Sequence, residues 1–366
     1  MGLAPWKDIP RHTLTYLSGH INNPKFEMAR ISLLSILLFL FASSVTALFP
    51  TRLVYEFPRK GQWLENLAVR RDGSVLVSSA NSSDIYLIDP KAVNATAKLV
   101  FRFDADQYPL GITETTPDTF EVSVVRNLSV ADISIAPNST QLYRLAFPPC
   151  ANGSISDDAN VSFTAELLGL TFSNGLTTLN DHTVLAADSH QGAVWAIDTN
   201  EGTSRPVLSD PLMLPTGHNN GIDGIKIYGN TLYWTHEAAS FLAKVDIDLK
   251  TGERLDGSNV TIITYSLPLP NFYDDFALDV EGKNAYLSTA GGNSVARVEL
   301  STGKQEIIAG RVNSIDIATS IATAFGRGKG QESILYVVTG GGYFLPINGN
   351  EVVGGQLVAV DLGAEF

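Results

Sequence analysis

Four places in this chain carry oxygen-bearing side chains in the same local setting, directly ahead of or at the start of a short β-rich run. They are Glu65 with Asn66, Asn174, Asn220 with Asp223, and Asp274 with Asp275. Carboxylates and carboxamides are hard oxygen donors, so two of each brought together would suit Ca²⁺ or a similar cation. Taken singly, each Asn-Gly or Asp-Asp reads equally well as turn chemistry, because Asn and Asp tolerate unusual backbone angles. Recurrence at one phase of a repeat is what makes them candidates. Nearby, Trp63, Phe272, Tyr273, Trp234 and Tyr343 offer apolar walls, and His218 and His236 offer hydrogen-bond donors. That mixture suits a small organic ligand better than a polymer.

Such residues can meet only if the repeat places them around a common axis. Beyond residue 50 there is almost no helical periodicity, and short alternating apolar runs are punctuated by Gly, Asp and Asn. The clearest copy runs from Glu65 through Arg71-Asp72-Gly73 to Ser79, followed by 84–89. Others begin at Asn174, Asn220 and Asp274; a degenerate one surrounds Leu110–Thr113, and a last one holds 322–326 with 334–339. Six units of about 45 to 65 residues predict an all-β, six-bladed β-propeller over 48–366, since one small sheet cannot bury both faces until neighbours stack. Residues 52–57 have no blade of their own and are expected to complete the last blade beside 356–360, closing the ring. The innermost strands of a propeller line its axis, so the four polar positions are expected at one mouth of the channel.

The chain has 366 residues and a formal net charge of −13, which disfavours nucleic acid as a partner because phosphates would be repelled. Its one cysteine, Cys150, has no partner for an intramolecular disulfide and reads as a structural thiol. Residue 240 is Ser, so His236-Glu237 fails the zinc-protease pattern. Gly326-Arg-Gly-Lys-Gly330 is a loop and not a phosphate cradle. Asp188-Ser189-His190 cannot form a triad, because adjacent residues on a strand point to opposite faces.

Residues 1–27 read as an extension or a mis-assigned start, with Met28 as the alternative initiator. From 28 to 47 a basic residue, a short apolar run and small residues ending at Ala47 form a secretory signal, expected to be cleaved after Ala47. The apolar run is too short for a stable membrane span. Sequons at Asn81, Asn94, Asn127, Asn138, Asn152, Asn160 and Asn259 agree with a secreted glycoprotein, and a Ser/Asn/Asp-rich insertion near 127–162 holds four of them.

With Glu65, Asn174, Asn220 and Asp274 in that blade order, the chain resembles the senescence-marker-protein-30/gluconolactonase-like propellers over nearly all of 50–362. The resemblance implies that those four residues would hold a divalent cation such as Ca²⁺ in a lactonase or related hydrolase. Asp275 stands where that family commonly has glycine. The phrases 63–69, 220–224, 274–279 and 335–342 are similar to secreted fungal hetero-Diels-Alderases of tropolonic sesquiterpenoid biosynthesis. This second resemblance implies cycloaddition of a tropolone quinone methide with a humulene-type terpene, without a cofactor. It makes Glu65, Asp274, His218 and Tyr273 catalytic candidates. Trp63, Asn66, Asp223, Trp234, His236, Asp275 and Tyr343 would bind substrate. A non-catalytic extracellular binding propeller is the third reading.

Overall fold

A computed structural model of the chain describes residues 48–129, 134–136, 138–150, 154–217, 220–267 and 272–363. The extension and signal segment expected over 1–47, together with His218 and Asn152, lie outside the described residues.

After β1 (Thr51–Lys60), blade 1 is β2 (Leu64–Val69), β3 (Val75–Ser79), β4 (Asp84–Ile88) and β5 (Ala97–Arg102). Blade 2 is β6 (Gln107–Thr116), β7 (Thr119–Arg126), β8 (Thr140–Ala146) and β9 (Asn160–Glu166). Blade 3 is β10 (Ser173–Asn180), β11 (Thr183–Asp188), β12 (Ala193–Asp198) and β13 (Thr203–Ser209). Blade 4 is β14 (Ile222–Tyr228), β15 (Thr231–His236), β16 (Phe241–Asp246) and β17 (Thr261–Tyr265). Blade 5 is β18 (Phe276–Leu278), β19 (Asn284–Ser288), β20 (Ser294–Glu299) and β21 (Gln305–Gly310). Blade 6 is β22 (Ser320–Phe325), β23 (Ile334–Thr339) and β24 (Gly354–Asp361), completed by β1.

Each blade is a four-stranded antiparallel meander, and the innermost strands β2, β6, β10, β14, β18 and β22 touch in cyclic order back to β2. The fold is therefore the expected six-bladed propeller. Ring closure is also as read from the sequence: Thr51 pairs with Val360 and Leu53 with Val358.

Strands with apolar residues on both faces explain why the blades stack. Every residue of β3 is buried, and one hydrophobic cluster fills each of the six junctions between neighbouring blades. Small hydroxyl residues at the ends of second strands tie one blade to the next. Ser78 Oγ donates to the Leu110 carbonyl at 2.8 Å, and Ser189 Oγ to that of Ile222 at 2.6 Å. Sequences such as Val-Ser-Ser79 and Ala-Asp-Ser189 thus encode packing between blades.

The glycines after the polar positions have a different purpose from the turn chemistry allowed for them. A Cβ on Gly175 would sit 2.5 Å from the Asp223 carbonyl, and one on Gly224 would sit 2.8 Å from the Asp275 Cα. Gly111 would likewise meet the Asn174 carbonyl at 2.2 Å. None of the three has a positive φ, so each is glycine because the next innermost strand passes too close for a side chain.

Candidate functional site

The mouth of the propeller is built from two kinds of segment on one face. One is the connection entering each innermost strand; the other is the loop between the second and third strands of a blade. Together they enclose a cavity of about 260 Å³. In three blades the entering connection alternates an aromatic residue with an oxygen donor: Trp63 and Glu65, Phe172 and Asn174, Phe272 and Asp274. Extended chain turns residues two apart to the same side, so each of these segments gives the cavity one apolar wall and one polar group.

The polar side comprises Glu65, Asn174, Asn220, Asp223, Glu237 and Asp274. Desolvation dominates their chemistry. Burial, with further repulsion from Glu237 and Asp275, pushes the Glu65 carboxyl up to about 8. Burial raises Asp223 and Asp274 well above the usual carboxylate range, and repulsion among the carboxylates raises them further. Both Asp223 carboxyl oxygens lack a hydrogen-bond partner, and the residue is 1% exposed. Burial also raises Glu237, and the Asn220 Nδ2 donating to it at 2.6 Å partly offsets the shift. Trp63 offsets part of the Glu65 shift, though its Nε1 closes no regular hydrogen bond.

Buried carboxyls so close together cannot all be ionised without a compensating cation. The nearby Lys226 does not supply it, because its ammonium is bound to Asp275 at 2.5 Å. Asp275 also accepts from Asn66 Nδ2 at 2.9 Å and from the Phe276 amide at 2.7 Å. Asn66 and Asp275, read from sequence as substrate-binding, thus form a clamp joining blades 1, 4 and 5 and are not part of the cavity lining.

Four other residues read from sequence as catalytic or substrate-binding also lie outside the cavity lining. Trp234 is fully buried in the core between blades 3 and 4. The ring of Tyr273 lies in the core between blades 4 and 5, and its hydroxyl donates to Gln305 Oε1 at 2.5 Å. His236 is 1% exposed; its Nε2 pairs with the Leu214 carbonyl at 2.9 Å and its Nδ1 accepts from the Ala239 amide at 3.1 Å, so neither nitrogen is free for a ligand. Tyr343 stands outside the lining and packs edge-on against Phe344, ring centroids 4.8 Å apart. Glu65, Asn174, Asn220 and Asp274 do come together, with Trp63, Phe272 and Asp223 beside them.

Sequence reading missed Glu237, Phe172, Ile321, Phe344 and Leu345, which also line the cavity. Glu237 and the Phe344-Leu345 pair belong to loops between second and third strands. Their place at the mouth follows from topology, not from any local motif. The aromatic two residues before Asn174 was a legible signal, since it repeats the spacing of Trp63 and Glu65.

As donors, two carboxylates and two carboxamides suit a hard divalent cation, and the unpartnered Asp223 oxygens favour positive charge nearby. Among the described residues no three His, Cys, Asp or Glu side chains are placed around a single ion. Glu65, Asn174, Asn220 and Asp274 would hold the cation only with the carboxamide oxygens completing the set.

The solved structures agree with the six-bladed propeller fold. The luciferin-regenerating enzyme matches with a TM-score of 0.61 at 13% identity, over 86% of this chain and 96% of that one. A calcium-binding regucalcin of Agrobacterium tumefaciens matches at 0.56 and 14%, over 86% and 95%. A gluconolactonase of Xanthomonas campestris matches at 0.55 and 12%, over 87% and 92%. No known family model matches the chain. In sequence the chain is similar to a provisionally named hetero-Diels-Alderase of Phoma sp, 27% identical over 317 residues, spanning 79% of this chain and 86% of that protein. A second such protein, from Sarocladium schorii, is 28% identical over 258 residues, or 63% of this chain and 61% of its own length.

Proposed function

We propose that this protein is an enzyme of secondary metabolism that joins an electron-poor heterodiene to an apolar alkene, the type of reaction from which its two relatives take their names. The observation that carries the reading is one cavity lined both by hydrogen-bonding groups, its floor in this reading, and by aromatic rings, its wall. In a hetero-Diels-Alder reaction the four π electrons of a C=C–C=O unit and the two of an alkene form one C–C and one C–O bond. No atom is lost and no electron is supplied from outside. Two contributions are needed from the protein: a near-attack pose, and a donor on the heterodiene oxygen as negative charge develops there. A carboxyl that holds a proton is such a donor; burial pushes Glu65 up to about 8 and raises Asp223 and Asp274, which favours the proton-bearing form in each. A tropolone-type quinone methide on the floor and a humulene-type terpene against the wall are the substrates proposed. The test is to generate the quinone methide in the presence of α-humulene with and without the purified protein and to follow adduct yield and enantiomeric excess. Racemic adduct at the uncatalysed rate would remove the reading.

The orphaned oxygens of Asp223 favour a second reading, in which Glu65, Asn174, Asn220 and Asp274 hold a divalent cation and the protein opens lactones. The cation would supply Lewis-acid polarisation of a carbonyl. This chain's own groups would orient the ring oxygen and shield it from bulk water. Stoichiometric Ca, Zn or Mn in the purified protein, lost in Asp274→Ala, would favour this reading over the first.

A further inference from the structure

The loop of residues 340–353, between β23 and β24, places Tyr343, Phe344 and Leu345 at the rim with about two fifths of each side chain exposed: 42%, 40% and 40%. Three consecutive exposed apolar residues are unfavourable on a water-facing surface unless something covers them. The loop is also firmly built. The Gly341 amide donates to the Ala318 carbonyl at 2.9 Å, the Val353 amide to Gly341 at 3.0 Å and the Gly61 amide to Val353 at 2.7 Å. Gly341 and Gly342 hold positive φ of 62° and 79°, which fixes the turn that presents the triplet. Ile347 is 2% exposed and anchors the far side of the loop. Phe344 therefore stands in a fixed position. Its ring meets Trp63 edge-on at 4.8 Å, and Phe344 and Leu345 continue the apolar wall of the cavity out to solvent. Glu65, Asn174, Asn220, Asp223, Glu237 and Asp274 give the same cavity its polar groups. A ligand that satisfies both kinds of lining has an oxygenated part and a hydrocarbon part.

We infer that the 340–353 loop is the specificity element of the site, and that Phe344 is the residue that selects the hydrocarbon partner. The inference rests on the cycloaddition reading for its kinetics, though not for its binding test. The Phe344 ring offers no hydrogen-bonding group, so its loss is expected to act on the hydrocarbon component. Removing a ring from an apolar contact weakens it by about tenfold or more. Phe344→Ala is therefore expected to raise KM for α-humulene by about tenfold while leaving KM for the quinone methide unchanged. Phe344→Leu is expected to recover most of the loss.

Binding is measured separately by titrating α-humulene alone and following Trp63 fluorescence, with a Trp63→Phe control to assign the signal. Wild type is expected to show saturable quenching that Phe344→Ala weakens by the same factor. Equal changes in both KM values, or none, would overturn the assignment, as would humulene binding insensitive to Phe344→Ala. If wild type gives no adduct, the cycloaddition reading fails alone, and the binding titration still decides the role of the loop. Quenching by phospholipid vesicles but not by α-humulene would assign the triplet to a lipid surface and overturn the proposal. Circular dichroism melts of each variant separate a folding defect from a lost contact.

Discussion

Glu65→Gln is the perturbation that most directly interrogates the carboxyl cluster. The wild-type side chain is 5% exposed, and burial with neighbouring carboxylates pushes its carboxyl up to about 8 from 4.5. Between those two values the folded protein binds more protons at this site than the unfolded chain does. Stability therefore falls as pH rises through that window, and is greatest below about pH 4.5 as far as this group is concerned. At pH 7 the accumulated cost is about 3 kcal/mol, from roughly 1.4 kcal/mol per pH unit over two and a half units. Gln keeps the shape and removes the titration. The variant should melt higher than wild type at pH 7 to 8, by roughly 5 °C for a domain of this size. Below pH 5 the two should converge. The assay is thermal unfolding by circular dichroism from pH 4.5 to 8.5, in chelator and again in Ca²⁺. Parallel pH profiles for the two proteins in chelator would refute the argument. A variant that melts lower, only in Ca²⁺, would identify Glu65 as a ligand to a cation in place of a holder of a proton.

Gly224→Ala should destabilise by about 2 kcal/mol or more, because the new Cβ would meet the Asp275 backbone at 2.8 Å; a lowered urea midpoint checks this, and an unchanged one would mean the innermost strands can spread. In protein made through a eukaryotic secretory pathway, peptide mass spectrometry is expected to find glycans on the exposed Asn94, Asn127, Asn138, Asn160 and Asn259. Asn81 is expected to be bare: its Nδ2 donates to the Gly61 carbonyl at 2.8 Å and its Oδ1 accepts from the Trp63 amide at 2.9 Å. A fully occupied Asn81 would contradict that geometry.

The propeller was legible because its signals are local and repeated. Alternating strands, Asp-Gly turns such as the one at 72–73, and a leftover first strand fall at regular intervals, and each blade must copy the last to stack on it. The outer strands were fainter. β9 and β13 are largely exposed, so burial imposes little pattern on them. The polar ring was legible for the same reason as the blades, since Glu65, Asn174, Asn220 and Asp274 hold one phase of the repeat. Its immediate neighbours were not. Phe272 and Asp274 face the cavity while Tyr273, between them, faces the core. Strand alternation predicts this split once the facing of a single residue is known, but composition gives no way to choose it. The burial of Trp234 and His236 outside the lining was not legible, because an aromatic or imidazole near a site and one inside the adjoining core look alike in sequence. Glu237, Phe344 and Leu345 reach the mouth from loops whose destination depends on the whole ring.

The pairing of Thr51 with Val360 also sets an order of events at the ribosome. β1 is synthesised at the start of the domain, yet its partner β24 emerges only about 300 residues later. Throughout that interval the nascent chain carries an unpaired β1 and two uncovered apolar blade faces, one on blade 1 and one on whichever blade was finished last. Such surfaces are sites for association with other chains. Closure spans almost the full length of the domain, and contacts of that range form slowly. Assembly of this protein in a cell should therefore depend on chaperone occupancy late in synthesis, and expression yield should respond to that supply more than to the stability of any single blade.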